Sequence, residues 1–209
     1  MKISKIIVTG MMLMVIATPS IAEFKAKEIA ILAGETLFST KLEDQYKTSD
    51  TLDFHEQVTF GIEGVLGDSN SSTDLVVGIN LATKSKTFSE DEIDVTGTLD
   101  TSFAKLGART HLADWFFVGA GLNYTTIKGS FTVSEINVSS SKSAFGFYGE
   151  AGIEAKFDHM KIGTKYVYNN SEKVALFGST TTKVNPTSSS ILGFVSYVFY
   201  PFNNSPSEA

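Results

Sequence analysis

The residues able to do chemistry in this 209-residue chain are few and scattered. There is no cysteine, so thiolate nucleophiles, disulfides and sulfur-ligated metals are excluded. The histidines are His55, His111 and His159. A histidine acts as general acid or base only beside a positioned partner. His55 could meet Ser89 or Asp91 only through a coincidence of loop geometry, so it reads as an ordinary polar side chain. The acidic run 89–94, SEDEID, offers oxygen ligands for a divalent cation, but it lacks the glycine-turn spacing of a calcium loop and reads as a solvated loop. No catalytic residue, metal or cofactor is expected. What remains is a set of seven charges: Glu63, Lys84, Lys105, Arg109, Glu150, Glu154 and Lys165. What they share emerges only from the strands that carry them.

The clearest of those strands is 115–126, WFFVGAGLNYTT. Phe116, Val118, Ala120, Leu122 and Tyr124 fall on one side. Phe117, Gly119, Gly121, Asn123 and Thr125 fall on the other, which is small or polar apart from Phe117. The run from Trp115 to Tyr124 spans about 30 Å at ~3.3 Å per residue. Tilted by roughly 40°, it rises about 23 Å, close to the ~25 Å apolar band of an outer-membrane barrel, which aromatic girdles flank. Strands of soluble sandwiches are shorter, about 5–6 residues.

Seven further strand-like runs follow the same reading: 28–39, 54–66, 74–84, 95–111, 144–157, 160–168 and 190–200. The first has two faces that are hard to tell apart. The run 95–111 loses its phase midway, and a bulge near 101–103 would restore it. In the rest, one face is apolar, and the opposite face carries the charges. Connections alternate in length. Segments 67–73, 112–114 and 158–159 are short; 40–53, 85–94, 127–143 and 169–189 are long. Short turns on one side and long loops on the other are the signature of an outer-membrane barrel. An even strand number returns both termini to the periplasmic side, where His111 and His159 also fall.

The chain start fits export. Lys2 and Lys5 precede an apolar core at 6–17, and Ser20-Ile21-Ala22 places small residues at a cleavage site, so 1–22 reads as a signal peptide. Twelve apolar residues are too few to span a bilayer, which needs about 20. The formal net charge is −6, and without Lys2 and Lys5 there remain 15 basic against 23 acidic residues, or −8. With no Lys/Arg cluster, nucleic acid is not a partner.

The segments LADWFFVGAGLNYT (112–125), FGFYGEAGIE (145–154) and the aromatic final strand LGFVSYVFYPF (192–202) resemble the small outer-membrane β-barrel families: the OmpA transmembrane domain, the OmpX/Ail group and the opacity-type, porin-like proteins. Their final strand ends in an aromatic residue that the assembly machinery recognises; here Phe202 is followed by the tail NNSPSEA. The resemblance implies an all-β, eight-stranded antiparallel up-and-down transmembrane barrel over 23–202, with a short periplasmic tail at 203–209. It implies a cell outer membrane of a Gram-negative bacterium, contact with outer-membrane lipid and lipopolysaccharide, and a monomer. Trp115, Tyr124, Tyr166, Tyr168 and Phe199 are the expected girdle.

Some barrels of this size edit lipid A. The deacylase type carries a His-x-Ser-Asn stretch, whereas the nearest segment here, 166–171 (YVYNNS), has no histidine. The palmitoyltransferase type is rich in tryptophan, and this chain has one. The expected role is therefore non-enzymatic: envelope structure, or surface interaction and adhesion towards a host or envelope ligand. Transport through a narrow pore and a soluble lipocalin-like barrel are the alternatives, the latter requiring the inverse polarity. The seven charges all fall on inward faces of a lumen that eight strands leave just wide enough for side chains. Buried charges must be paired, so a structural salt-bridge plug is expected, with Arg109 contacting Glu63 or Glu150.

Overall fold

The structure, a computed structural model, describes residues 25–38, 55–67, 72–90, 93–133, 136–175 and 183–199. The predicted leader and tail lie outside the described residues. The strands are β1 (Lys25–Phe38), β2 (Glu56–Gly67), β3 (Thr73–Glu90), β4 (Ile93–Ala113), β5 (Phe116–Val133), β6 (Ile136–Phe157), β7 (Met160–Ser171), β8 (Val174–Ala175), β9 (Lys183–Val184) and β10 (Ser188–Val198). Eight of them close into an antiparallel barrel in which sequential neighbours pair and β10 pairs with both β7 and β1. β8 and β9 form a separate two-stranded piece between β7 and β10.

Closure leaves no open strand edge around the ring, so the backbone polar groups are satisfied without water, the condition for strands crossing lipid. The side chains are arranged to match. Ile31, Phe60, Ile62, Leu122, Phe145 and Ile191 face outward and are exposed. Leu122 is 67% exposed while its neighbour Asn123 is 2% exposed. A soluble barrel would hide the first and show the second.

β1 resolves what alternation alone leaves open: Glu28, Ala30, Leu32, Thr36 and Phe38 are buried, and Ile29, Ile31 and Leu37 point outward. Its two faces look alike because the lumen on this side takes aliphatic residues.

The bulge expected near 101–103 is absent. β4 pairs with both neighbours without a shift from Val95 to His111, and the irregularities fall at His111/Ala113 and at Ala26/Glu28. Odd-numbered residues face inward throughout, from Leu99 and Phe103 to Lys105 and Arg109. The apparent loss of phase reflects a change in what fills the lumen. Near the long-loop end the filling is apolar; deeper, it is charged.

Two of the expected long loops are largely strand. β3 and β4 remain paired up to Glu90↔Ile93, and β5 and β6 up to Val133↔Ile136. The stretches 85–90 and 127–143 read as loops because they are rich in serine and threonine, but threonine and valine favour pleated backbone, and cross-strand hydroxyl pairs hold them: Ser85–Thr98 at 3.1 Å, Thr87–Thr96 at 3.0 Å and Thr126–Ser143 at 2.9 Å. The apolar recurrence through 131–138 does extend the β5–β6 hairpin.

The result is a lopsided cylinder. β3 to β6 have 18, 21, 18 and 22 residues, whereas β1, β2, β7 and β10 have 14, 12, 12 and 11. β4 and β5, and β6 and β7, are joined by tight turns at one end, so the extra length lies at the other. A four-stranded sheet therefore projects beyond the rim.

Candidate functional site

Two features could carry function: the filled lumen and the projecting sheet. The lumen centres on five side chains from β2, β4, β6 and β7. Arg109 donates to Glu150 Oε1 from Nη2 at 2.7 Å and from Nε at 3.0 Å, and also bonds Glu63. Lys165 Nζ reaches Glu63 Oε2 at 2.5 Å and Glu150 Oε2 at 3.1 Å. Lys105 Nζ donates to Glu150 Oε2 at 3.1 Å and pairs with Glu63. Each carboxylate thus meets all three cations, and all five side chains are buried. Arg109 lies over the Phe117 ring, 4.4 Å from its centroid, and Lys105 sits 5.3 Å from the Tyr148 centroid.

Glycines make room for these groups. A Cβ on Gly78 would lie 2.9 Å from Lys105 Cε, and one on Gly119 would lie 3.0 Å from Glu150 Cγ. Gly78 on β3 and Gly119 on β5 are therefore hollows for the charges on β4 and β6.

A second tier lies towards the tight turns. Lys161 Nζ bonds Glu28 Oε2 at 2.7 Å and pairs with Glu154 at 3.2 Å; His111 Nε2 lies 3.1 Å from Glu154 Oε1, and Lys27 bonds Asp74 at 2.7 Å. Glu154 therefore belongs to this tier. Lys84 faces inward on β3 but is half-buried near the rim and takes no part in either tier. Glu28, Asp74, Lys27 and Lys161 are lumen charges outside the expected set of seven. Extending the inward phase of Asn80 and Lys165 would have found Asp74 and Lys161; Glu28 is hidden by the two-faced look of β1. Among the described residues five carboxylates then face six cations: Glu28, Glu63, Asp74, Glu150 and Glu154 against Lys27, Lys105, Arg109, Lys156, Lys161 and Lys165.

Towards the rim the filling becomes neutral. Thr36 bonds Thr59 at 2.6 Å and Ser190 at 2.7 Å, and Asn123 bonds Asn169 at 3.2 Å. Phe38 stacks on Phe103 at 6.1 Å with Ala82 beside them. His55 lies at this end and its Nδ1 donates to the Phe38 carbonyl, which fixes the ring against backbone. Among the described residues, no group of His, Asp and Glu is suited to hold a metal.

No family model matches the chain, and no curated protein does. Solved structures do. Ail, the attachment invasion locus protein of Yersinia pestis, in complex with the heparin analogue sucrose octasulfate, matches with a TM-score of 0.51 at 15% identity, covering 83% of this chain and 99% of Ail. A major outer membrane protein from Thermus thermophilus matches with a TM-score of 0.51 at 10% identity, covering 84% of this chain and 100% of that one. The chain has the fold of the small outer-membrane β-barrels. On this barrel the outward aromatics lie at different heights. Trp115 and Phe199 are exposed at the tight-turn end. Tyr124, packed on Phe145 with centroids 4.8 Å apart, and Tyr168 lie farther up, and Tyr166 lies one outward position below Tyr168.

Proposed function

We propose that this barrel is a non-enzymatic surface-interaction protein of the Gram-negative outer membrane, monomeric, with both termini in the periplasm. The lumen is its structural core and the projecting sheet is its interaction surface. The lopsided strand lengths carry this reading. Four strands run about six to ten residues past their neighbours, roughly 15–25 Å of rise at ~3.3 Å per residue and ~40° tilt, farther than crossing the band requires. Ordering that much extra backbone costs conformational entropy that the membrane anchor does not need. A contact surface held clear of the lipid headgroups gives it a use. That Ail was solved with a heparin analogue agrees with ligand binding by barrels of this shape.

In the same reading, 1–22 is the removed export signal, 203–209 is a periplasmic tail, and the barrel is inserted by the outer-membrane assembly machinery. Trp115 and Phe199 mark the periplasmic interface, Tyr124 and Tyr168 the outer one, and Tyr166 lies just inside the band. The pore alternative is disfavoured by the two ionic tiers and the Phe38–Phe103 cap stacked along one lumen. The enzyme alternative gains nothing from the histidine hydrogen bonds seen among the described residues, to the Phe38 carbonyl, Glu154 and the Val198 carbonyl.

The test is a shortened hairpin lacking 130–139, expressed in an outer membrane and checked for folding by heat-modifiability on a gel. Binding of the cells to host-cell layers and to purified envelope polysaccharide is then compared with the full chain. Lost binding with retained folding is expected; unchanged binding overturns the reading.

A further inference from the structure

The projecting sheet has two unlike faces. On its outward face lie Thr83, Ser85, Thr98, Thr126, Ser141 and Ser143, joined across strands by hydroxyl bonds and by Thr83 Oγ1 to Asp100 at 2.7 Å. Its inward face, above the lumen mouth, is apolar. Leu99 and Ile127 are buried at the rim; beyond them come Val95 and Phe131, half-buried, then Val138 at 54% and Ile136 at 70% exposure. Apolar residues this exposed on a face outside the lipid band mark an interaction site.

The charges of the described side chains on that inward face have one sign. Among its described side chains the ionisable ones are Lys84 and Lys86 on β3 and Lys142 on β6. These strands flank β4 and β5, so the lysines border the apolar strip on strands about 14 Å apart, three spacings of ~4.8 Å, with Lys142 staggered two residues towards the lumen from Lys84. The chain as a whole carries −6, so this local sign runs against its overall charge. An anion is drawn to such a border.

We propose that this concave face binds an anionic amphiphile, an acyl chain ending in a carboxylate or phosphate. The head sits between Lys84 and Lys142 over the lumen mouth, and the chain lies along Phe131, Val138 and Ile136. A polypeptide laid on the same strip would leave its backbone donors and acceptors facing apolar side chains. An acyl chain has none to satisfy, which favours it. The inference rests on the surface-interaction reading and names a ligand class for it.

The full mature barrel in phosphatidylcholine nanodiscs, with labelled methyls on Ile136 and Val138, is titrated with decanoate. Parallel titrations use decanol, acetate and an acidic decapeptide. Saturable methyl shifts with decanoate are expected, with decanol and acetate binding at least 10-fold more weakly. The Lys84→Gln/Lys142→Gln pair and, separately, Val138→Ser should each weaken decanoate at least 10-fold; both leave the lumen intact, which the remaining methyl spectrum reports. Absence of saturation overturns the proposal. So does decanol matching decanoate, which is plain partitioning, or the peptide outcompeting decanoate, which makes the face a polypeptide site. If decanoate fails but the shortened hairpin still abolishes surface binding, only this inference falls. If decanoate binds and surface binding survives the shortening, the broader reading falls instead.

Discussion

Arg109 places two of its nitrogens on one oxygen of Glu150, 2.7 and 3.0 Å away, inside a barrel whose outward side chains are apolar. Neither group can turn to solvent instead. Glu150 is 5% exposed and Arg109 is 2% exposed, so a lone member would be a charge stranded beneath the lipid band. Geometry of this kind fixes which strands face one another across the lumen. Arg109 ties β4 to β6 and β2 at once, and a shift of any strand by one residue would carry its charge to the lipid side.

Breaking this pair should therefore cost more than most single changes. Arg109→Met removes one cation from two carboxylates and is expected to destabilise the barrel by about 3–5 kcal/mol. Urea unfolding in lipid vesicles, followed by tryptophan fluorescence of Trp115, measures it. A cost under about 1 kcal/mol would mean that water or another cation already serves Glu63 and Glu150.

The second tier offers a related test with a different neighbour set. Lys161 is the cation within reach of both Glu28 and Glu154, although Glu154 also has His111 and, at 3.7 Å, Lys156. Lys161→Met should destabilise by about 2–4 kcal/mol, somewhat less than the central change. In a double-mutant cycle, Glu28→Gln together with Lys161→Met should cost less than the sum of the two singles, because the partners are removed together. Additive costs would show that the pair is not coupled.

A lumen with this filling should not conduct. In planar bilayers the purified barrel is expected to give no resolvable single-channel steps. Phe103→Ala removes the ring stacked on Phe38 and should destabilise by about 3–5 kcal/mol, typical of a buried aromatic, still without opening a path, because both ionic tiers remain beneath it. Steps in the unaltered protein would show that the tiers move apart, and would restore the pore alternative.

How much of this was legible in the chain depends on local chemistry. β5 could be read outright because Leu122 and Asn123 differ so sharply and the strand keeps one kind of lumen filling over its lower half. β4 misled because Leu99 and Phe103 are inward and apolar while Lys105 and Arg109 are inward and charged; only the pairing register shows that they share a face. The central ionic cluster followed from phase and the need to pair buried charge. So did Arg109 as the partner of Glu63 or Glu150, and both contacts are made. Glu63 and Arg109 are 46 residues apart, and their meeting depends on closure. The projecting sheet was half visible: the apolar recurrence at 131–138 signalled the β5–β6 hairpin, but the polar run 85–90 hid the matching extension of β3.

The sharpest check on the orientation of the whole molecule compares two arginines on its outer surface. Leu122 is 67% exposed on β5 and faces outward within the proposed band. Leu122 lies one outward position below Tyr124, so Leu122→Arg should cost about 1–2 kcal/mol, between the midplane and interface penalties for arginine on a barrel's lipid face. Ser141, outward on β6 beside Lys128, lies on the projecting sheet, where water is available. Ser141→Arg should stay within about 0.5 kcal/mol, as surface changes usually do. In detergent-free buffer, with no acyl chains to repel the charge, the distinction would vanish. Unfolding both variants from lipid vesicles reads the difference directly. Equal costs would mean that Leu122 does not face lipid, and the membrane placement of the strands would have to be redrawn.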